Sequence, residues 1–558
     1  MRGAFLVIII ALKLHNFAVT PRECHSSMKN ISFSSRRCAQ LAVGLFGFFG
    51  FHFVGHARAA TIINAASPSL ADVAAAIASA SDGDTVIVPA GTASWTSGLT
   101  ITKGITIMGQ TTTDSAAGTA NDQTILIDNF DRAHPQGYFN CTTNTGQSLR
   151  ITGITFSGQG VQTIISGGAV RLYGNSDHVR VDHCHFTHLN HSVMISIYGA
   201  IFGVSDHNVM DDFVGENFSH YVNMPNYGGA EYGDGAWAES AGSGGPKFFF
   251  IEDNYIYLPS FGGGGGGGVD AFYGGKYVFR YNHVWNLSTL GHSTGTSAPR
   301  GRGVRAQEVY NNDWHFSSPG LQIDGTTDGS LIFHDNTFDG ELIKGPGLQV
   351  YRTFWDHGAP FGGATGDNVW DYNVTESDGT HVDGHAPYLF ESGTATTGTD
   401  FFITDTTKSW ATNQWVGYTV KRVSDSQVGL IISNTSNTIQ IYHYLPMNYT
   451  AGTAYQIHKV LRILDQPGTG GGDLLTGNPP TPAGWPNQAL EPCYSWNNVY
   501  TPTSAHINFL PGVAPTLQEG RDYFQDTPMP GYTPYTYPHP LVTGGDGPGA
   551  PGNLRILP

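Results

Sequence analysis

His292, Arg300, Arg302, Arg305 and Glu308 fall within 17 residues of one another, in the segment GHSTGTSAPRGRGVRAQE. The chain is otherwise poor in cations, with 27 Lys and Arg against 44 Asp and Glu. Guanidinium groups concentrated in an acidic protein suit recognition of a carboxylate, because their fork of donors matches two oxygens at once. An imidazole beside a carboxylate can move a proton near neutral pH. These types fit β-elimination from a uronate sugar, which needs a neutralised C6 carboxylate, a base for the C5 proton and an acid for the departing oxygen. The spacing assigns Arg302 and Arg305 to the carboxylate, His292 to the base, Glu308 to orienting it, and Tyr310 or Tyr273 to the acid. Arg300, Lys276 and Trp237 extend the candidate substrate-binding set. The same residues could instead form an Arg-Glu network that pins a loop.

Two further groups could do chemistry. Asp211, Asp212 and Glu216 are the tight acidic cluster of the loops and the candidate calcium ligands, although their spacing matches no fixed ligand pattern and a solvated loop explains them as well. Tyr221, Tyr227, Tyr232 and Trp237, with Trp285, Trp314 and Trp355 elsewhere, suit stacking on sugar rings or simple loop packing. Asp182-His183 with His185 and His188 would alternate between faces of a strand, which disfavours a shared metal. Gly262 to Gly268 lacks the lysine and the strand-to-helix setting of a phosphate loop.

The elements that must position these groups come from a repeat. VDHCHF at 181, VSDHNV at 204, IEDNYI at 251, FRYNHV at 279, VYNNDW at 309, FHDNTF at 333, WDYNVT at 370 and SWNNVY at 495 align. Asn254, Asn282, Asn312, Asn336, Asn373 and Asn498 share the fourth position, with Cys184 and His207 in the same column. Stacked asparagines suit the corner of a coil, where their amides bond from rung to rung and the backbone tolerates a left-handed bend. The column spacings of 23, 47, 28, 30 and 24 give a rung near 23 residues, with loops in 211–246 and 286–303. Residues three before and two after the asparagine, such as Ile251 with Ile256, face the core. Those two and four before it face outward. Glu252 beside Arg280 then reads as a surface salt bridge, and the largely apolar outward column containing Phe250, Val278 and Ile332 implies loop cover.

Before the repeat, Ser69 caps a short helix to about Ala80, with Asp72 placed as in a capping box, and Thr85 to Val88 forms a first strand. This run, ADVAAAIASASDGDTVIVPAGT, resembles the N-terminal cap and first rung of the pectate-lyase-like right-handed parallel β-helix superfamily. The resemblance implies an all-β solenoid with a capping helix. It also implies kinship with pectate and alginate lyases, polygalacturonase-like hydrolases and non-enzymatic tailspike or adhesin proteins. Asp211-Asp212 gives a D-D pair but no G-H-G motif accompanies it. Lys276 and Arg280 have the residue types of lysine-arginine lyases without the surrounding motifs. A polysaccharide lyase on an acidic glycan is the leading expectation, with a hydrolase or a non-catalytic carbohydrate binder as alternatives.

Composition bounds the rest. Seventy-three glycines, 30 prolines and 13% charged residues describe a turn-rich β protein. Residues 1–59 read as a signal peptide, in which Met28 makes a better start than Met1, ending at Ala57-Arg58-Ala59; the expected location is extracellular or periplasmic. Their removal leaves a net charge of −23, which argues against nucleic acid and anionic membranes. No later stretch is apolar enough to span a bilayer, and a monomer is expected. Cys141, Cys184 and Cys493 are too few and too far apart for a disulfide framework. The β-helix is expected over 60–393, a small all-β module over 394–460, and a last rung with a proline-rich tail lying along the coil over 461–558.

Overall fold

The computed structural model describes residues 59–132, 135–158, 167–189, 193–211, 218–229, 233–259, 268–292, 302–318, 325–341, 344–349, 370–371, 389–416, 418–425, 427–442, 447–459, 462–463, 465–471, 489–511 and 517–544. One turn of the coil runs through Lys276–Arg280, His283–Trp285 and Thr289–Gly291, and the next through Ala306–Tyr310, Asp313–Phe316 and Gly325–Thr326. Each strand pairs in parallel with its counterpart one turn on, so three sheets, here the first, second and third, run the length of a parallel β-helix. Among the described residues no helix is long and apolar enough to cross a membrane.

The asparagine column is a hydrogen-bonded ladder. Asn208, Asn254, Asn282, Asn312 and Asn336 each pass a side-chain N–H to the Oδ1 of the next, ending at Asn498, at 2.8–3.0 Å. Each backbone N–H in the column also donates to the neighbouring Oδ1, and the second amide hydrogen satisfies strand carbonyls, as Asn282 does at Ile251 and Arg280. The left-handed residue is the one before the column position: His183, which precedes Cys184, and His207, Asp253, Tyr281, Asn311, Asp335 and Asn497, which precede asparagines, all have φ between +49° and +56°. His207 therefore turns the corner, and Asn208, not His207, is in the ladder. The misplacement by one arises because the core-facing position carries a polar Ser205, which made Val204 look like the leading apolar residue.

Inside, Ile251, Ile256, Phe279, Val284, Phe333 and Phe338 are buried, with rings such as Phe279 and Trp314 at 5.6 Å. The open end is plugged by α1 (Leu70–Ser79), whose Val73, Ala76 and Ile77 enter the same core. Ser69 Oγ accepts from Asp72 N as expected, but the Asp72 carboxylate accepts from Ser67 instead of closing a capping box. Lys103 closes the other helix end, donating to the carbonyls of Ile77, Ala78 and Ala80.

Two departures from the repeat matter. Phe218–Asn223, within the segment read as a loop, is a strand of the third sheet, followed by α2 (Asp234–Ala238). Trp370–Asp371 pairs antiparallel with Arg462–Ile463 and so is not a rung, while Asn373 lies outside the described residues. Between those two segments sits a seven-stranded antiparallel sheet from Leu389–Thr394 to Ala454–Lys459, with its own core around Ile403, Trp410, Trp415 and Ile457. The coil resumes as though uninterrupted, since Cys493–Trp496 pairs with Ser330–His334.

The proline-rich tail covers the outward apolar column of the first sheet. Tyr535, Leu541 and Val542 pack on Val204, Phe250 and Val278. Arg280 donates to the carbonyls of Tyr535 and Thr536, and His539 N donates to Glu252. The Arg280–Glu252 pair is thus completely buried, not the surface salt bridge expected from sequence.

On the second sheet His185 lies between two carboxylates, with Nδ1 2.8 Å from Asp122 and Nε2 3.2 Å from Asp211. Burial opposes its charge, but the hydrogen bonds and charges of both aspartates prevail and raise its pKa to about 9. That contribution is complete below the ordinary histidine pKa and is lost as pH rises through about 9. Thermal melts should therefore show stability falling between about pH 6.5 and pH 9, with the slope flattened in His185→Asn. In the ladder, Asn312→Ala should lower stability by about 2–3 kcal/mol in denaturant unfolding, whereas Asn311→Gly should change it little, since glycine suits the left-handed corner.

Candidate functional site

The structure separates the predicted basic cluster into two environments. At the corner between the third and first sheets, α2 buries Trp237 completely, and its indole N–H donates to Gly303 O at 3.0 Å. The guanidinium carbons of Arg302 and Arg305 lie 4.9 and 5.2 Å from that ring. Arg302 donates to Asp465 at 2.9 Å and stands 3.5 Å from Asp234; Arg305 pairs with Glu491 at 2.5 Å and caps the carbonyls of Ala236 and Glu239. Both arginines are buried and neutralised by these acids, so the network pins the chain where it re-enters the coil. Trp237 offers no face to a sugar. Arg300 lies outside the described residues.

Glu308 does not meet His292. It stands in the outward column of the first sheet between Val278 and Ile332, fully buried, accepting from Gly244 N at 2.8 Å and from the Tyr532 hydroxyl. Burial raises its pKa above the usual carboxylate range. Tyr310 is likewise buried, with its oxygen accepting from Arg280 at 2.9 Å, and burial pushes its pKa up. Lys276 is buried with Nζ 4.6 Å from the Phe248 ring. Burial, reinforced by the like charge of Arg305, lowers its pKa to about 7.

His292 and Tyr273 belong elsewhere, at the outer face of the third sheet. There Leu172, Ile197, Val222, Ala271 and Gly291 are in register and point inward. The alternation of strand side chains turns their neighbours outward. One outward column is Asn140, Arg171, Ser196, Tyr221, Asp270 and the next is Thr142, Tyr173, Tyr198, Asn223, Phe272. The contacts are continuous along the coil. Arg171 lies over Tyr173 at 5.2 Å and Tyr198 at 5.9 Å; Tyr198 meets Tyr273 at 6.5 Å, Tyr273 meets Phe272 at 4.7 Å, and Phe272 meets His292 at 6.0 Å. His292 Nδ1 stands 3.3 Å from Asp270 Oδ1.

The electrostatics of this strip are unusual for the chain. Among the described residues no carboxylate pairs with Arg171, and burial lowers its pKa because only two tyrosines compensate. Burial also raises the pKa of Tyr198. The rings and the arginine are only half-buried, in contrast to Arg302 and Arg305. Sequence reasoning missed Arg171, Tyr173, Tyr198 and Asp270. The signal was present as Arg171-Leu-Tyr173-Gly174 and Ser196-Ile-Tyr198-Gly199, a repeat of the third sheet. Its glycines are required: a Cβ on Gly199 would lie 2.4 Å from Gly174 O.

Of the proposed calcium ligands, Asp211 is engaged with His185, while Asp212 and Glu216 lie outside the described residues. Among the described residues no three His, Cys, Asp or Glu side chains group to hold a metal ion. The two classes of arginine respond differently to removal. Arg305→Ala strands Glu491 and should lower stability by about 3–5 kcal/mol, whereas Arg171→Ala should leave the melting temperature within a degree or two. Paired thermal melts check this.

No family model and no curated protein matches this chain. Among solved structures it is similar to a PL6 family alginate lyase, with a TM-score of 0.32 and 16% identity over 52% of this chain and 39% of that one. It is also similar to the tailspike protein of E. coli bacteriophage HK620, solved in complex with a pentasaccharide, with a TM-score of 0.26 and 12% identity over 69% of this chain and 76% of that one. The matched region is thus well under half of the alginate lyase.

Proposed function

We propose that this protein is a secreted polysaccharide lyase that binds a uronate-containing glycan along the outer face of its third sheet and cleaves it by β-elimination. The observation that carries the reading is Arg171, unpaired with any described carboxylate and bedded on Tyr173 and Tyr198, in line with the Asp270–His292 pair. From the rung of Arg171 to that of His292 is four steps, roughly 19 Å at ~4.8 Å each, so the strip suits several sugars of one chain. Arg171 anchors a carboxylate remote from the reacting bond, and the C6 carboxylate at that bond is left to a cation from solution, which the calcium and chelator arms below test. At the other end, with the proton of His292 on Nδ1, 3.3 Å from Asp270 Oδ1, the basic lone pair is on Nε2, the atom assigned to take the C5 proton. Tyr273, whose ring meets that of Phe272 beside His292, is assigned to protonate the leaving oxygen. The C4–O bond then breaks, and its electron pair leaves with the oxygen as the C4–C5 double bond forms.

A glycan binder without turnover is the second reading, and the burial of Arg302, Arg305 and Glu308 favours it, because only His292 and Tyr273 of the sequence-assigned catalytic set reach the strip.

Incubation with pectate, alginate, glucuronan and glycosaminoglycans, with calcium or with chelator, should raise the absorbance of an unsaturated uronate. His292→Ala should cut turnover by at least about 100-fold with binding retained, while Arg171→Ala should weaken binding of the polyanion about 10-fold. Binding without any unsaturated product would establish the second reading. Absence of both would remove the acidic glycan altogether.

A further inference from the structure

A second aromatic strip lies on a different side of the coil, on the outer face of the second sheet. The register Tyr255, His283, Asp313, Thr337 runs beside Tyr257, Trp285, His315, Asp339. Ile256, Val284, Trp314 and Phe338 between them fill the core, so both columns face outward. Tyr255 and Tyr257 stack at 6.4 Å, Tyr257 meets Trp285 at 5.9 Å, and Trp285 meets His315 at 3.9 Å. These rings are half-exposed, unlike the buried Trp237 and Trp314. Tyr255 packs under Gly118 of the hairpin Thr112–Asp114/Thr119–Asn121, where an added Cβ would lie 2.5 Å from its ring, whereas Tyr257, Trp285 and His315 are left half-exposed at the solvent face.

The charges around it differ from those of the third sheet. His315 Nδ1 is 2.5 Å from Asp339 and His283 Nδ1 is 3.4 Å from Asp313, while Thr337 Oγ1 donates to Asp313. The carboxylates are 65% exposed at Asp313 and 57% at Asp339, so oxygens remain open to a ligand. Neither column contains a lysine or arginine between Tyr255 and Asp339. A uronate or sulfate would meet carboxylates with no guanidinium to offset them. A neutral sugar presents apolar ring faces to the aromatics and hydroxyl donors to the carboxylates and imidazoles.

We propose that Tyr257, Trp285 and His315, flanked by Asp313 and Asp339, form a second glycan-binding surface that takes a neutral polysaccharide. The surface holds the coil on an uncharged polymer while the third sheet is left free, and it is independent of the activity assigned there.

Native gels of the full chain containing a neutral glucan, mannan, galactan or xylan test it, alongside gels containing polygalacturonate or alginate. At least one neutral polymer should retard the protein, and Trp285→Ala and Tyr257→Ala should each weaken that binding by about 10-fold or more. Arg171→Ala should leave neutral binding unchanged, and Trp285→Ala should leave the handling of acidic glycans unchanged. Thermal melts of the variants exclude unfolding, since these side chains lie outside the core. Retardation by none of the four neutral polymers, or retardation indifferent to Trp285→Ala, overturns the proposal. So does a change of oligomeric state in Trp285→Ala by sedimentation, with glycan binding intact, which would assign the strip to contact between copies of the chain.

Discussion

The asparagine ladder is the constraint on which the rest depends. Each rung must turn from the first sheet into the second within two residues, and a left-handed residue followed by asparagine achieves this while leaving no amide unsatisfied. Because Asn336 bonds to Asn498 across 162 residues of sequence, the ladder also fixes where the chain re-enters the coil after the antiparallel module. Registration at one corner propagates around the turn. It puts Tyr198 over Tyr173 on the third sheet and Trp285 under His315 on the second, so aromatic columns on two faces derive from one hydrogen-bonded edge.

Burial on the first sheet follows a different logic. Its outward columns carry Arg180, Glu252, Arg280 and Glu308, charges that would be costly under an apolar cover. The tail offsets that cost with its own backbone: Arg280 donates to the Tyr535 and Thr536 carbonyls, Arg180 to Leu541 O, and Glu252 and Glu308 accept from His539 N and Tyr532. An extended, proline-rich strand suits this role, because proline withholds N–H donors and leaves carbonyls free for arginine. The first sheet is thereby closed as a binding face, and the open aromatic surfaces are those of the other two.

The coil was legible in the sequence because its corner is a local motif: an asparagine with apolar residues at fixed offsets, plus the helix–turn–strand run of the cap. The third sheet was not, because its strands alternate buried aliphatics with tyrosine, arginine and aspartate, a pattern shared with loops. Hence Phe218–Asn223 read as loop, and Arg171 and Asp270 passed unremarked. The fate of Arg302 and Arg305 was illegible for another reason. Their partners, Asp465 and Glu491, lie 163 and 186 residues away, beyond an inserted module, and no spacing within GRGVRAQE signals them.

The contrast among the arginines separates structure from function more sharply than residue type does. Arg302, Arg305 and Arg280 are buried with acids within hydrogen-bonding distance, the arrangement expected where a cation's desolvation must be compensated for the fold to stand. Arg171 is partly desolvated with only the faces of Tyr173 and Tyr198 to compensate. In a chain with 44 acidic residues, a nearby carboxylate would have been easy to supply. A cation held without one, on a half-exposed aromatic bed, is stabilised most by an anion that arrives from solution, and that is the physical basis for assigning the acidic ligand to the third sheet rather than to the richer cluster of arginines at its corner.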